Sequence, residues 1–292
     1  MQHERVIYES DNGESIIIAY FFPYFLRGLS GQDGTKANIT RVTGAGQDGS
    51  TITNVVLADR DLQLKGGIKG NSKDEVEKYR LKLLRTFSPK SLGWLQYEYG
   101  NLKRRIRCQV ETAPVFAKIS TSYRYQDFLV DFICANPYWQ DLASVKSEIA
   151  IWRGSFEFPL ELVEEGIEIG FREPSLIVNV FNSGDVACGM KIQFKALATV
   201  ENPSLFNVNT REEIKINKVM EAGEIITVTT HFQNKRVVLD QNGVKSNAFM
   251  YLDLSSTFMQ LEPGDNLLRY DADDGIDNLE VSIWHTPQYL GV

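Results

Sequence analysis

Residues 43–64 of this 292-residue chain read TGAGQDGSTITNVVLADRDLQL. Within them Gly44, Gly46 and Gly49 fall at the G-x-G-x-x-G spacing of a dinucleotide-binding loop. Such a loop works only where a strand leads in and a helix leads out, because the N-terminus of that helix holds the pyrophosphate. Here the exit is Ser50-Thr51-Ile52-Thr53-Asn54-Val55-Val56-Leu57, a Thr-, Val- and Ile-rich run that favours a strand. No strand–helix–strand unit surrounds it. The glycines are therefore read as a turn between strands, and the fold as mainly β.

The flanking sequence agrees. Upstream, RVIYES and SIIIAYFF are β-rich runs around Asn12-Gly13, a hairpin signal whose type I′ turn needs positive φ at both central residues. Residues Gly28 to Gly49 are expected to form a Gly-rich loop, and its Gly31-Gln32-Asp33-Gly34 and Gly46-Gln47-Asp48-Gly49 read as two Asp-Gly turns. Downstream, one helix is expected: Ser72 as N-cap, Glu75 completing a capping box, and Asp74 at the positive end of the dipole. Val76, Tyr79, Leu83 and Phe87 form its apolar stripe, and Ser88-Pro89 ends it. Strands resume at WLQYEYG, RRIRCQV and YRYQDFLVDFICA. In the last, Phe128, Val130, Phe132 and Cys134 share one face and Leu129, Asp131 and Ile133 the other. Pro137 must leave the ladder, so a domain boundary is placed after Trp139, giving residues 1–139 and 140–292. The second half shows seven or more short strands broken by turns at Asn182-Ser183-Gly184-Asp185, Asn242-Gly243 and Pro263-Gly264-Asp265. That pattern predicts a β-sandwich or jelly-roll.

Composition narrows the class. Hydrophobic residues make up 43% and charged residues 24%, as in ordinary globular proteins. No apolar run reaches the roughly 18 residues of a membrane span, and the first ten residues lack a secretory signal's apolar core. Cys108, Cys134 and Cys188 are odd in number and far apart, which reads as reduced thiols. The net charge of −7 is uneven: residues 1–137 carry 19 basic and 15 acidic groups, residues 138–292 carry 12 and 23. The acidic half repels nucleic acid, and the small excess in the first half does not suggest sequence-specific DNA binding.

Candidate chemistry is sparse, and no catalytic, cofactor-binding or metal-ligating residue is assigned. His3, His231 and His285 lack a second His at i+4 or a neighbouring Cys-x-x-Cys, so zinc hydrolysis has no support. No G-x-S-x-G elbow is present. Glu161, Glu164 and Glu165 are acidic enough for a glycosidase pair, yet read as an exposed charge cluster. Asp271, Asp273, Asp274 and Asp277 crowd one loop. Counted from Asp271, position five is Gly275 and position twelve is Ser282, which fails the EF-hand pattern. The expectation is a solvated turn at Asp274-Gly275 joining two antiparallel strands, with a looser cation site left open. Lys103, Arg104, Arg105 and Arg107 flank Ile106 on a strand, where they are expected to face solvent or a subunit neighbour. Among the crowded aromatics Tyr123, Tyr125, Phe128, Phe132, Tyr138 and Trp139, some must be core. Trp152 and Trp284 are candidate sugar-stacking platforms, although core or interface is the better reading for any single ring.

Taken in order, the motifs resemble the distal tail proteins of long-tailed, non-contractile phages and related prophages of Gram-positive bacteria, almost from end to end. The series comprises the Asn12-Gly13 hairpin, GAGQDGSTI, LADRDLQLKGGIKG, the helix SKDEVEKYRLKLLRTFSPKSLGWL and FICANPYW. In the second half FNSGDVACGMKIQF, INKVMEAGEIITVTT, STFMQLEPGDNLLRY and VSIWHTPQYLGV continue it. One departure is Asn136, where the family often has Asp before the Pro; either suits the turn. The resemblance implies an N-terminal β-sandwich or split-barrel-like domain with one helix, and a galectin-like or carbohydrate-module-like sandwich after it. It implies a non-enzymatic homo-hexameric ring at the virion tail tip, assembled in the bacterial cytoplasm. Its implied neighbours are the tail-tube protein, the tail-tip hub and, in some members, receptor-binding proteins, with no cofactor and no membrane. The alternative is a carbohydrate-binding module for host wall polysaccharide. A tail-associated hydrolase ranks third, for want of a recognisable nucleophile or metal set.

Overall fold

The computed structural model describes residues 4–117, 124–149, 152–154, 170–172 and 177–292. The chain is mostly strand with one α-helix, and it divides into two compact units: residues 1–142 together with 288–292, and residues 143–287. No helix among the described residues is long and apolar enough to cross a membrane.

The first unit contains β1 (Arg5–Ser10), β2 (Ser15–Ile18), β3 (Tyr24–Ser30), β4 (Ala37–Val42), β5 (Thr51–Leu57), β6 (Arg60–Lys69), α1 (Lys73–Thr86), β7 (Leu92–Tyr99), β8 (Leu102–Phe116), β9 (Tyr125–Cys134) and β10 (Trp139–Asp141). Seven strands run in the order β2–β1–β7–β8–β9–β6–β3, every neighbouring pair antiparallel. One bridge, Ala19 to Phe25, links the two ends of that path. The alternation expected of β9 is present: Phe128, Val130, Phe132 and Cys134 are buried, while Leu129, Asp131 and Ile133 are only partly so.

Helix α1 forms as its sequence dictates. Ser72 Oγ accepts from the Glu75 backbone N–H at 3.2 Å, and Glu75 Oε2 accepts from Asn71 N at 2.8 Å, one residue before the cap. Two orphan donors of the chain entering the helix are thereby satisfied. Val76, Leu83 and the C-cap Phe87 are buried in the first unit's core, with Tyr79 packed at its margin. Phe87 meets the Tyr8 ring at 4.8 Å and Phe132 at 5.8 Å between centroids. Tyr8 lies over β7 because residue 93 is glycine: a Cβ there would stand 2.5 Å from the tyrosine ring.

Two local expectations are corrected. At Asn12-Gly13 only Gly13 takes positive φ, with Gly13 N donating to Ser10 O and Ser10 N to Glu14 O; the loop is longer than a two-residue type I′ turn. That turn appears instead at Asn242-Gly243, where both residues have positive φ and Gln241 faces Val244. The stretch from Gly28 to Gly49 is not one loop either. Gly28 belongs to β3, beside a bulge, and Ala37–Val42 is a full strand. Glycine spacing concealed it, because a polar run such as TKANITR carries no burial alternation to mark a strand.

The C-terminus completes this unit. Residues Gln288–Tyr289 pair with β10, Trp139 facing Tyr289. Behind them Arg60, 2% exposed, donates from Nε to Pro137 O at 2.7 Å and from Nη1 to Gly31 O at 2.6 Å. Its Nη2 donates to Thr35 Oγ1 and to Leu290 O. Burial lowers the Arg60 pKa, and backbone carbonyl dipoles, with the Asp33 charge nearby, compensate the buried guanidinium. Trp139, fully buried, donates Nε1–H to Gln32 O at 3.1 Å.

The second unit is a two-sheet sandwich. A six-stranded sheet includes Met190–Ala196, Ile225–Thr229, Arg236–Gln241 and Leu279–His285; a four-stranded sheet includes Ile177–Asn182, Ser204–Asn207 and Gly264–Asp271. Ile192, Phe194, Val228 and Ile283 from the first meet Val180, Leu205, Leu268 and Tyr270 from the second in one cluster. At about 1.5–3 kcal/mol per fully buried large side chain, that cluster dominates the unit's stability. Gly264–Asp271 and Leu279–His285 lie in different sheets, which corrects the reading of Asp274-Gly275 as a turn within one antiparallel pair. With Gly275 at φ 72°, the chain instead crosses from one sheet to the other through a short 3-10 turn, Ile276–Asn278.

Candidate assembly surface

The opening stretch resolves into a two-stranded arm. Among the described residues β4 and β5 pair only with each other, and Gly44, Gly46 and Gly49 sit in the connection, Gly46 and Gly49 at φ 74° and 83°. Gln47 folds back to accept from Gly44 N at 3.0 Å. The glycines thus supply backbone freedom to a hairpin tip. The exit run Thr51–Leu57 is the strand its β-branched residues predict.

Pairing defines two faces. Ala37 opposes Leu57, Ile39 opposes Val55 and Arg41 opposes Ile52, with the register shifting between Thr40 and Arg41. Directly opposed residues share a face, and the extra residue, Thr53, brings Ile52 onto the same side as Val55. Asn38, Thr40, Asn54 and Thr51 fall on the other, together with Val56 opposite Asn38 and Val42 opposite Thr51. The first face is therefore apolar apart from Arg41, and the second mixes polar residues with two valines. Yet Ile39, Val55 and Ile52 are 44%, 54% and 58% exposed. An isolated two-stranded hairpin is marginal in water, so an uncovered β-branched face of this kind marks a contact surface. A second exposed apolar group, Tyr20, Phe21 and Phe22, lies between β2 and β3. Beside it is a cavity of about 690 Å³ lined in part by Arg27, Lys69 and Tyr125. Those groups are already engaged: Arg27 Nε donates to Tyr125 Oη at 3.0 Å and pairs with Asp127 at 3.1 Å, and Lys69 lies 4.6 Å over the Phe22 ring.

The basic strand is tied inward more than expected. Arg104 stacks 3.4 Å over the Tyr289 ring and donates to Gly291 O. Arg105 and Arg107 both lie over Trp94, at 4.4 and 5.3 Å, and Arg107 also pairs with Asp11. Only Lys103 of the four is fully exposed. These arginines staple the first unit, since their flat guanidinium groups stack well on aromatic rings.

The remaining candidates do not converge. His231 is half-buried and His285 buried, both with pKa lowered by burial; His3 lies outside the described residues. So do Tyr123, Glu161, Glu164 and Glu165, as does the side chain of Trp152. Among the described residues no group of three or more His, Cys, Asp or Glu is placed to hold a metal ion. In the acidic loop Asp273 accepts from Lys215 Nζ at 2.8 Å and Asn202 Nδ2 at 2.9 Å, and the Lys215 hydrogen bond lowers its pKa. Asp271 and Asp274 accept from the backbone N–H of Ala272 and Gly275. Trp284 has lysines over its ring, Lys191 at 4.0 Å and Lys146 at 5.3 Å, which leaves less of the ring for a sugar. Sequence reasoning missed Ile39, Ile52 and Val55 as a surface, and Arg60 as a hub. An Arg opening an apolar strand was the one available signal for the hub.

Comparison with known proteins follows this geometry. Residues 11–134 match the phage tail protein RIFT-related domain family, and residues 183–289 match the C-terminal domain of the siphovirus-type tail component family. The fold is similar to the Dit (gp 19.1) protein of phage SPP1, described as a paradigm of the hub adsorption apparatus of phages infecting Gram-positive bacteria. That likeness has a TM-score of 0.70 at 14% identity, covering 98% of this chain and 99% of that one. A chain of the phage P2 baseplate, in its activated conformation with Ca, is similar at a TM-score of 0.55 and 10% identity, with 98% of each chain covered. No curated protein matches this chain.

Proposed function

Since the chain belongs to the siphophage distal tail protein family, a family of structural phage-tail components, we propose that it forms a hexameric ring at the tail tip. In that ring the apolar face of β4–β5 lies against the next copy of the chain. The carrying observation is the uncovered apolar hairpin: Ile39, Ile52 and Val55 share one face, Val42 and Val56 lie on the other, and the single chain leaves all five in water. Closed rings repeat one heterologous contact, and a projecting arm meeting a different patch on its neighbour is such a contact. On this reading the ring joins the last tube ring to the tail-tip hub and provides attachment points for receptor-binding proteins, after assembly in the bacterial cytoplasm.

The test is size-exclusion chromatography with light scattering, together with negative-stain imaging, across a concentration series. A six-fold ring with a central hole is expected at high concentration. Val55→Asp, which places a charge on the apolar face, is expected to leave monomers with an unchanged circular dichroism spectrum. A wild-type chain that stays monomeric at the highest concentrations, or a ring indifferent to Val55→Asp, sinks the assignment of this face.

A further inference from the structure

Two buried thiols oppose each other where β8 meets β9. The register pairs Val110 with Phe132 and Gln109 with Ile133, so the next pair places Cys108 opposite Cys134 at the end of β9. Both are free and buried, and both lie in the first unit's core cluster. Opposed residues on antiparallel strands keep their Cβ atoms about 4.5–5.5 Å apart, a small adjustment from the ~3.8 Å of a disulfide. The other strands beside the pair carry Gly93, facing Cys108, and Arg60, facing Cys134. Cys188, the third thiol, belongs to the other unit.

We propose that Cys108 and Cys134 form a cross-strand couple that peroxide converts into an intramolecular disulfide, closing the seam between β8 and β9 covalently. One thiol reacts with hydrogen peroxide to give a sulfenic acid and a water. The opposed sulfur then attacks that sulfenic sulfur, forming the S–S bond and releasing a second water. Each sulfur gives up one electron, the peroxide takes two, and both thiol protons end in water. The neighbouring Cys134 thiol and burial push the Cys108 thiol well above its ordinary range, so the reaction is slow near neutrality and accelerates as pH rises. A reducing cytoplasm leaves the pair as thiols. That the bond forms only after the particle leaves the host rests on the tail reading above; the chemistry itself does not.

The experiment uses the full-length Cys188→Ser chain, in which the pair supplies every thiol. It is incubated with hydrogen peroxide at pH 7 and pH 8.5, quenched, unfolded and alkylated, and its intact mass is measured. Expected are two alkylated thiols falling to none, faster at the higher pH, with recovery on adding dithiothreitol and a Cys108–Cys134 linked peptide after digestion. The melting temperature of the first unit is expected to rise by roughly 5–10 °C on oxidation, because the bond closes a loop of the unfolded chain. Two thiols that stay alkylatable overturn the proposal. So do oxygen gain without loss of hydrogen, or disulfide-linked dimers. Tail assembly is read separately by the ring experiment, so either result stands without the other.

Discussion

The two units leave apolar surface exposed in different places. In the second, the inner faces of a six-stranded and a four-stranded sheet close on one cluster running from Val180 to Ile283, and residues such as Phe232, Met250 and Leu254 stay exposed outside the sheets. In the first, the core under α1 is closed, but the β4–β5 arm holds five Ile and Val residues in water. Charge follows the same division. Much of the first unit's basic character is spent on internal contacts, Arg60 on carbonyls and Arg104, Arg105 and Arg107 on rings and the C-terminus. The lesson is that the first unit is stapled by arginines and concentrates exposed apolar residues on a hairpin and on Tyr20–Phe22, whereas the second is closed through its sheets.

That contrast can be broken at Arg60. Arg60→Ala leaves buried carbonyls without a donor and is expected to destabilise the first unit by about 3–5 kcal/mol. The readout is a loss of cooperative melting in the first unit by hydrogen exchange while amides of the second keep their protection. In the second unit Ile192→Ala, at a fully buried position, is expected to cost about 2–5 kcal/mol, with the protection pattern reversed; if both units melt together in either variant, their independence fails. Ser72→Ala, which removes the α1 cap, is expected to cost about 1 kcal/mol in urea unfolding.

A pH titration separates the units next. His285 is buried with its pKa lowered, so the unfolded chain takes up a proton near pH 6.5 that the folded chain resists. Stability of the second unit therefore falls as pH drops below about 6.5, and because His231 is shifted the same way, His285→Gln should reduce that slope and the double variant with His231→Gln should flatten it. Further down, protonation of Glu224 and Asp253, whose pKa values are lowered, Asp253 to about 2, adds a second loss. The smallest expected effect is Val55→Asp on monomer stability, within about 0.5 kcal/mol; a larger cost would mean the arm packs on its own chain.

Legibility followed periodicity. Strand β9, helix α1 and the sandwich strands declared themselves, because each alternates or repeats against a core. The glycine motif was rightly taken from nucleotide chemistry by its β-branched exit. What could not be read was anything fixed by long-range partners. Ala37–Val42 lacks a buried side, so its strand character depends on β5. Arg60 binds Leu290 across 230 positions. The sheet change at Asp274-Gly275 is set by which strands find each other, and no local pattern encodes it.

The pairing of Trp139 with Tyr289 has one last consequence. The chain leaves the first unit on β10 and returns on the strand beside it, so departure and return stand about 5 Å apart. Any folded module whose own termini lie that close could replace residues 143–287 while the arginine-held tail stays in its slot. The layout makes the second unit an exchangeable cassette, and recombination between phages could trade it whole without disturbing the part proposed to build the ring.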